Sequence, residues 1–269
     1  LSYWEALLLG VIQGLTEFLP VSSSGHLVLG KALLGIEIND ITFEVFVHFG
    51  TLLAVMTVFR NDILLLLKGF VALVTFKGKS SNEEEKQGIK MLWLLFLGTL
   101  PAAVLGLLFK DYFEAAFQSP RFVCAALLVT GLLLLSTRFI KNKGAELNVP
   151  NTLIIGFAQV GAIFPGISRS GTTISTALLL GIEREAAARF SFLLAVPLIL
   201  GASGKQAVDM LSDLPSTHEM IGIALGTLAA YVSGLFAIKW LVSAIKQGMF
   251  DRFAYYCFVV GMIGIIVLF

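Results

Sequence analysis

Gln13-Gly14-Leu15-Thr16-Glu17-Phe18-Leu19-Pro20-Val21-Ser22-Ser23-Ser24-Gly25-His26 interrupts an apolar stretch with a carboxylate, a proline, three serines and a histidine. The apolar arms run over residues 2–19 before the break and on to Gly35 after it. Neither arm comfortably spans a bilayer, which takes a helix of about 20 residues. Irregular backbone at membrane depth is tolerated only where protein buries it, because lipid satisfies no N–H or C=O group. Residues 2–36 therefore read as a re-entrant helix–turn–helix whose tip packs against other helices.

Further along, residues 152–164 run into Pro165-Gly166-Ile167-Ser168-Arg169-Ser170-Gly171, and the apolar pattern resumes through Gly181. This gives a second hairpin, over 152–182. The two are copies. At a shift of 146, residues 10–37 align with 156–183 without a gap, and 11 of the 28 positions are identical, where chance would give roughly two or three. Gly10/Gly156, Gln13/Gln159, Phe18/Phe164, Ser22/Ser168, Ser24/Ser170 and Gly25/Gly171 are among them, as is Leu33-Leu34-Gly35-Ile36-Glu37 against Leu179-Leu180-Gly181-Ile182-Glu183. Leu97-Gly98-Thr99-Leu100 later matches Leu225-Gly226-Thr227-Leu228 at a shift of 128, so the first half carries 146 − 128 = 18 additional residues. They fall around 61–90, where 61–76 reads as an extension or interfacial helix before the hydrophilic loop 77–90.

Six further stretches are long enough to cross: 43–60, 91–109, 121–138, 187–207, 220–242 and 253–269. The expected fold is all-α: a polytopic membrane protein with an inverted-topology repeat, six transmembrane helices and two opposed re-entrant hairpins. The first repeat is 1–140 and the second 151–269. Each repeat holds one hairpin and three crossings, and an odd number of crossings turns the second copy upside down. Fourteen loop lysines and arginines then fall on one side and four on the other, which makes the rich side cytoplasmic and puts both termini outside.

Composition agrees. Of 269 residues 57% are hydrophobic and only 14% charged, against about 25% charged in a soluble domain. Mean hydropathy is +0.89. One core could not hide this much apolar surface, so the excess faces lipid. A net charge of +1 with no basic tract gives no sign of nucleic acid. Cys124 and Cys257, both within apolar segments, read as small core residues.

Chemistry concentrates at the two tips. Gln13 and Glu17 lie four residues apart on one helix face, with Ser22, Ser23, Ser24 and His26 just beyond. A carboxylate at membrane depth is a functional candidate by default; the bland alternative is a local pair or cap. The second tip supplies Ser168, Arg169, Ser170, Gly171, Thr172 and Thr173. Arg169 is the one arginine this topology places inside the bilayer, where it could also be a mere structural partner of Glu17. Both tips lead hydroxyls and glycine into a helix N-terminus, which favours an anion. Two such ends and a guanidinium describe a phosphate pocket.

The stretch Gln13–His26 resembles the first signature of the bacterial undecaprenyl-diphosphate phosphatases of the bacitracin-resistance (BacA) type. Pro165–Thr173 resembles the second, and the likeness extends over essentially the whole chain, including Thr42-Phe43-Glu44-Val45. The resemblance implies hydrolysis of undecaprenyl diphosphate to undecaprenyl phosphate at the outer face of the bacterial cytoplasmic membrane, with a divalent cation, Mg2+ or Ca2+. It carries function to Gln13, Glu17, Ser22, Ser23, His26, Ser168, Arg169 and Thr173. Where the family pattern allows Glu or Gln first, this chain has Gln13, so a metal role there would rest on its carbonyl oxygen.

The expected roles follow. Glu17 and Gln13 hold the cation. Ser23 is the nucleophile and His26 its base, with direct water attack as the alternative. Arg169 stabilises the phosphoryl group. Ser22, Ser24, Ser168, Ser170, Gly171, Thr172 and Thr173 bind substrate. The expected partners are the lipid substrate and membrane lipids, with a homodimer left open. The rival class is a polyprenyl-phosphate flippase or ion-coupled transporter, since inverted repeats with opposed hairpins are transporter architecture.

Overall fold

The computed structural model describes residues 1–34, 41–75, 82–140, 144–212 and 215–268. The aligned Gly35-Ile36-Glu37, the 77–81 part of the hydrophilic loop, and Lys141 and Lys143 lie outside them. The described residues are helical, joined by one isolated bridge between Ala145 and Ile182.

The first hairpin is α1 (Tyr3–Phe18) and α2 (Ser23–Leu34). Ser2 and Glu5 start α1 through a reciprocal capping box. The helix stops because Leu19, which precedes Pro20, is extended at φ −60°, ψ 143°, the conformation a following proline imposes. Then come α3 (Ile41–Val58) and α4 (Arg60–Val74), bent by 90° at Phe59. This α4 is the helix expected over 61–76. α5 (Glu83–Leu108) is capped by Asn82, and the short α6 (Lys110–Phe117) follows it. α7 (Pro120–Leu135) starts at a Ser119 cap with proline in its first turn.

The second hairpin is α8 (Val149–Gly161) and α9 (Arg169–Leu179). α10 (Arg184–Ser212), α11 (Thr217–Lys246) and α12 (Phe253–Val267) follow. Among the described residues four helical segments are long and apolar enough to cross alone: Glu83–Leu108, Pro120–Phe139, Thr217–Lys246 and Phe250–Val267. α3 with α4 makes a fifth as a bent pair. α10, the remaining expected crossing, has 29 residues. The protein is thus an all-α, multi-pass membrane protein.

Each hairpin's first arm packs on a helix from the other half of the chain: α1 on α11, and α8 on α5. Small residues permit the approach. A Cβ on Gly10 would sit 2.3 Å from the Gly226 carbonyl oxygen, and one on Gly156 would sit 2.6 Å from that of Gly98. Gly10 aligns with Gly156 and Gly98 with Gly226 in the sequence, so both copies use the same pair of glycines in the same way. The segments 1–140 and 151–269 interleave here rather than packing as separate bodies. Between them lies a core built around Phe18, Leu52, Phe190, Phe192, Leu193 and Leu194. Cys124 and Cys257 are fully buried thiols, as expected. Leu107, Leu132, Phe236 and Ile266 are among the large apolar side chains left outside, a surface suited to lipid.

Candidate functional site

The two tips are bonded to each other. At the first, Ser22 has φ +68°, the only positive φ on a non-glycine residue among those described. Its hydroxyl accepts from Gly25 N at 3.3 Å, as a cap for α2, and from Gly166 N of the second tip at 3.1 Å. At the second tip, Ser168 plays the equivalent part, its hydroxyl accepting from Gly171 N at 3.0 Å. Ser170 crosses back, donating to the Leu19 carbonyl at 3.2 Å. Thr130 of α7 clamps the second turn, donating to Gly166 O at 2.8 Å and accepting from Ser168 N at 3.1 Å.

These bonds bring Glu17 and Arg169 together. Arg169 Nη2 donates to Glu17 Oε1, and both side chains are largely buried. The other carboxylate oxygen, Oε2, accepts from Ser23 Oγ at 2.5 Å and Gln13 Nε2 at 2.9 Å. Removing such a pair from water is costly unless further hydrogen bonds satisfy both groups, and here the carboxylate is fully engaged. The cluster lies against a cavity of ≈ 590 Å³, whose walls include Glu17, Ser22, Ser23, Ser24, Ser168 and Arg169. Most of the remaining wall is apolar, from Leu27 and Val28 on α2 to Leu107 on α5 and Ile199 on α10. A polar floor under apolar walls is what a lipid with a phosphorylated head requires.

Several expected site residues are placed differently from the expectation. His26 does not reach Ser23: its Nδ1 donates to the Ser22 carbonyl at 2.8 Å and its Nε2 bonds the Tyr256 hydroxyl at 2.8 Å. Both ring nitrogens are occupied, and the hydroxyl of Ser23 bonds Glu17 instead of His26. Ser170, Gly171, Thr172 and Thr173 are not in the cavity wall. Thr172 donates to Ser168 O at 2.8 Å, while Thr173 bonds Arg169 O and Ser191 Oγ at 2.8 and 2.6 Å. Their hydroxyls are spent on the turn and on α10, because a hydroxyl buried at a helix start must find a nearby partner.

The sequence reading gave no site role to three ionisable residues of the cavity wall, His48, Lys31 and Glu44. His48 Nε2 lies 3.6 Å from Glu17 Oε2, and its Nδ1 donates to Glu44 O at 2.7 Å. Lys31 pairs with Glu44, and both line the cavity. The available signal was Glu44 and His48, four residues apart on an otherwise apolar helix.

Oxygen donors suit a hard cation. Gln13 Oε1 is buried without a hydrogen-bond partner, one turn from Glu17. Among the described residues no three His, Cys, Asp or Glu side chains cluster as a metal cage. Magnesium is commonly held by one or two carboxylates together with substrate phosphates, and Glu17 with the Gln13 carbonyl fits that more modest requirement.

Similar proteins cover the chain from end to end. The family model for bacitracin resistance protein BacA matches residues 6–263. An undecaprenyl-diphosphatase of Salinibacter ruber is 42% identical over 268 residues, covering 98% of this chain and 99% of its own. Those of Halothermothrix orenii and Christiangramia forsetii are 43% and 44% identical, each covering 99% of this chain and 98% of its own. With both signatures folded into one site and the match running through every helix from α1 to α12, the chain belongs to the BacA family.

Proposed function

We propose that the protein hydrolyses undecaprenyl diphosphate to undecaprenyl phosphate and inorganic phosphate, regenerating a lipid carrier for cell-wall synthesis and so conferring bacitracin resistance. Its relatives' names and the family match support the reaction. The observation that carries the site is the Ser23 hydroxyl held 2.5 Å from a carboxylate oxygen of Glu17, whose other oxygen is held by Arg169.

The diphosphate enters the cavity head first, with the prenyl chain along the apolar wall. Ser23 Oγ attacks the terminal phosphorus, passing its proton to Glu17, which takes over the base role once expected of His26. The bond to the bridging oxygen breaks and undecaprenyl phosphate leaves. Glu17 releases that proton to solvent, then draws one from the water that attacks the phosphoseryl phosphorus; Ser23 Oγ takes it up as its bond to phosphorus breaks, and inorganic phosphate leaves. Arg169 turns its fork to the phosphoryl oxygens, where the charge is spread. Ser22, Ser24 and Ser168 line the floor beside them. A divalent cation, Mg2+ or Ca2+, held by Glu17 and Gln13, would further neutralise that charge.

The protein sits in the bacterial cytoplasmic membrane as two inverted halves, each a hairpin and three crossings, with the cavity open to the outer face. Purified protein should release phosphate from a polyprenyl diphosphate, and EDTA should stop it. Absence of release from the chelator-free protein in detergent or vesicles refutes the reading.

A further inference from the structure

We infer that Tyr256 is a positioning residue for this site, acting through His26 to hold the turn that aims Ser23. Resting on the phosphatase reading for its kinetics, the inference stands on three contacts in series. Ser22 holds a left-handed conformation that L residues seldom adopt. Such a conformation persists only where its surroundings over-determine it. The Ser22 carbonyl accepts from both the backbone N and the Nδ1 of His26, at 3.1 and 2.8 Å. A carbonyl only accepts, so Nδ1 carries the hydrogen and, in the neutral ring, Nε2 offers a lone pair. The Tyr256 hydroxyl, 2.8 Å away, donates to it. The rings also stack, with centroids 5.6 Å apart and planes inclined by 12°.

Tyr256 comes from α12, 230 residues beyond His26. Its neighbour Cys257 reaches the same break, 3.6 Å from the Pro20 carbonyl. One turn of α12 thus braces the first tip from behind at two points. Tyr256 does not line the catalytic cavity; it faces a separate cleft of ≈ 450 Å³ with Thr16, Leu19 and Trp240. It therefore has no route to the substrate except through His26 and Ser22. Ser22 is where this matters: its hydroxyl ties down the second tip, and the next residue is Ser23.

The test compares Tyr256→Phe, His26→Asn, His26→Ala and the Tyr256→Phe/His26→Asn pair in turnover, Michaelis constant and melting temperature. An asparagine amide can still donate to Ser22 O as Nδ1 does, but it cannot act as a base. Tyr256→Phe keeps the stacked ring and loses one hydrogen bond, so kcat should fall about fivefold with KM nearly unchanged. His26→Asn should keep far more activity than His26→Ala, and adding Tyr256→Phe to it should cost nothing more, because the hydroxyl acts only through the imidazole. A folded His26→Asn as inactive as His26→Ala would make His26 a proton-transfer group and overturn the proposal. Additive losses in the double variant would do the same. Independently of turnover, 15N spectra of histidine-labelled protein should show His26 as the Nδ1–H tautomer with a bonded Nε2, the bond vanishing in Tyr256→Phe. The opposite tautomer overturns the positioning claim, whereas a wild type that shows this tautomer yet releases no phosphate overturns only the phosphatase reading.

Discussion

At the scale of the single residue, Arg169 separates an enzyme from a transporter. Its guanidinium binds Glu17 in the free protein, so a purely structural pair would predict that Arg169→Lys is nearly wild type. A phosphate clamp predicts otherwise, since an ammonium keeps the charge and loses the planar fork. Arg169→Lys should lower kcat about 100-fold, nearly as much as Arg169→Ala, with a smaller rise in KM. Kinetics and melting temperatures of both variants in one detergent decide it; a lysine variant with near-normal phosphate release sinks the clamp. Ser23→Ala should leave the fold intact and abolish turnover, measured as phosphate release and as loss of a trapped phosphoseryl intermediate. Retention of more than about a tenth of the activity would make water the attacking group.

Which of these residues could be read beforehand follows from their chemistry. Glu17 and Arg169 were legible because ionised groups at membrane depth have few structural reasons to be there. His26 was legible as part of the tip but not in its bonding, because the partner that occupies its Nε2 arrives on α12. Thr172 and Thr173 share the tip's polar pattern with Ser168, and only the local turn decides which hydroxyl bonds backbone and which faces the cavity. His48 was lost inside an apolar run that otherwise reads as a plain crossing.

At the scale of the element, the hairpins were legible from proline, glycine and serine breaking two apolar runs, and α1, α2, α8 and α9 follow those arms. The right-angle bend at Phe59 was not, since no proline or glycine marks it. The glycine contacts give the sharpest prediction here. At Gly10 and Gly156 an added methyl would meet backbone rather than a flexible side chain. Gly10→Ala and Gly156→Ala should each lower stability by about 1–3 kcal/mol, the usual cost of overpacking. Gly30→Ala, where a Cβ meets nothing within 4 Å, is the control. Melting curves in detergent would show equal midpoints for all three if the close packing were unimportant.

At the scale of the whole molecule, the proposed inverted arrangement predicts which ends face out. Cysteines placed at exposed Glu146 and Thr217 should label oppositely in intact cells: Thr217→Cys with an impermeant reagent, Glu146→Cys only after lysis. The native thiols are fully buried and give little background. Labelling of Glu146→Cys from outside would overturn the topology. The interleaving of the halves also bears on how the chain is made. α1 leaves the ribosome about 200 residues before the helix that receives its glycine face, α11, which begins at Thr217. Glu17 has no partner until Arg169 of α9 is made, and Gly10 has no Gly226 until α11 follows, so the first hairpin waits unseated at the insertion machinery while both are synthesised. A nascent chain cut short before Arg169 therefore presents an unpaired carboxylate in an apolar segment, which marks it as unfinished to any quality-control protease that samples the bilayer.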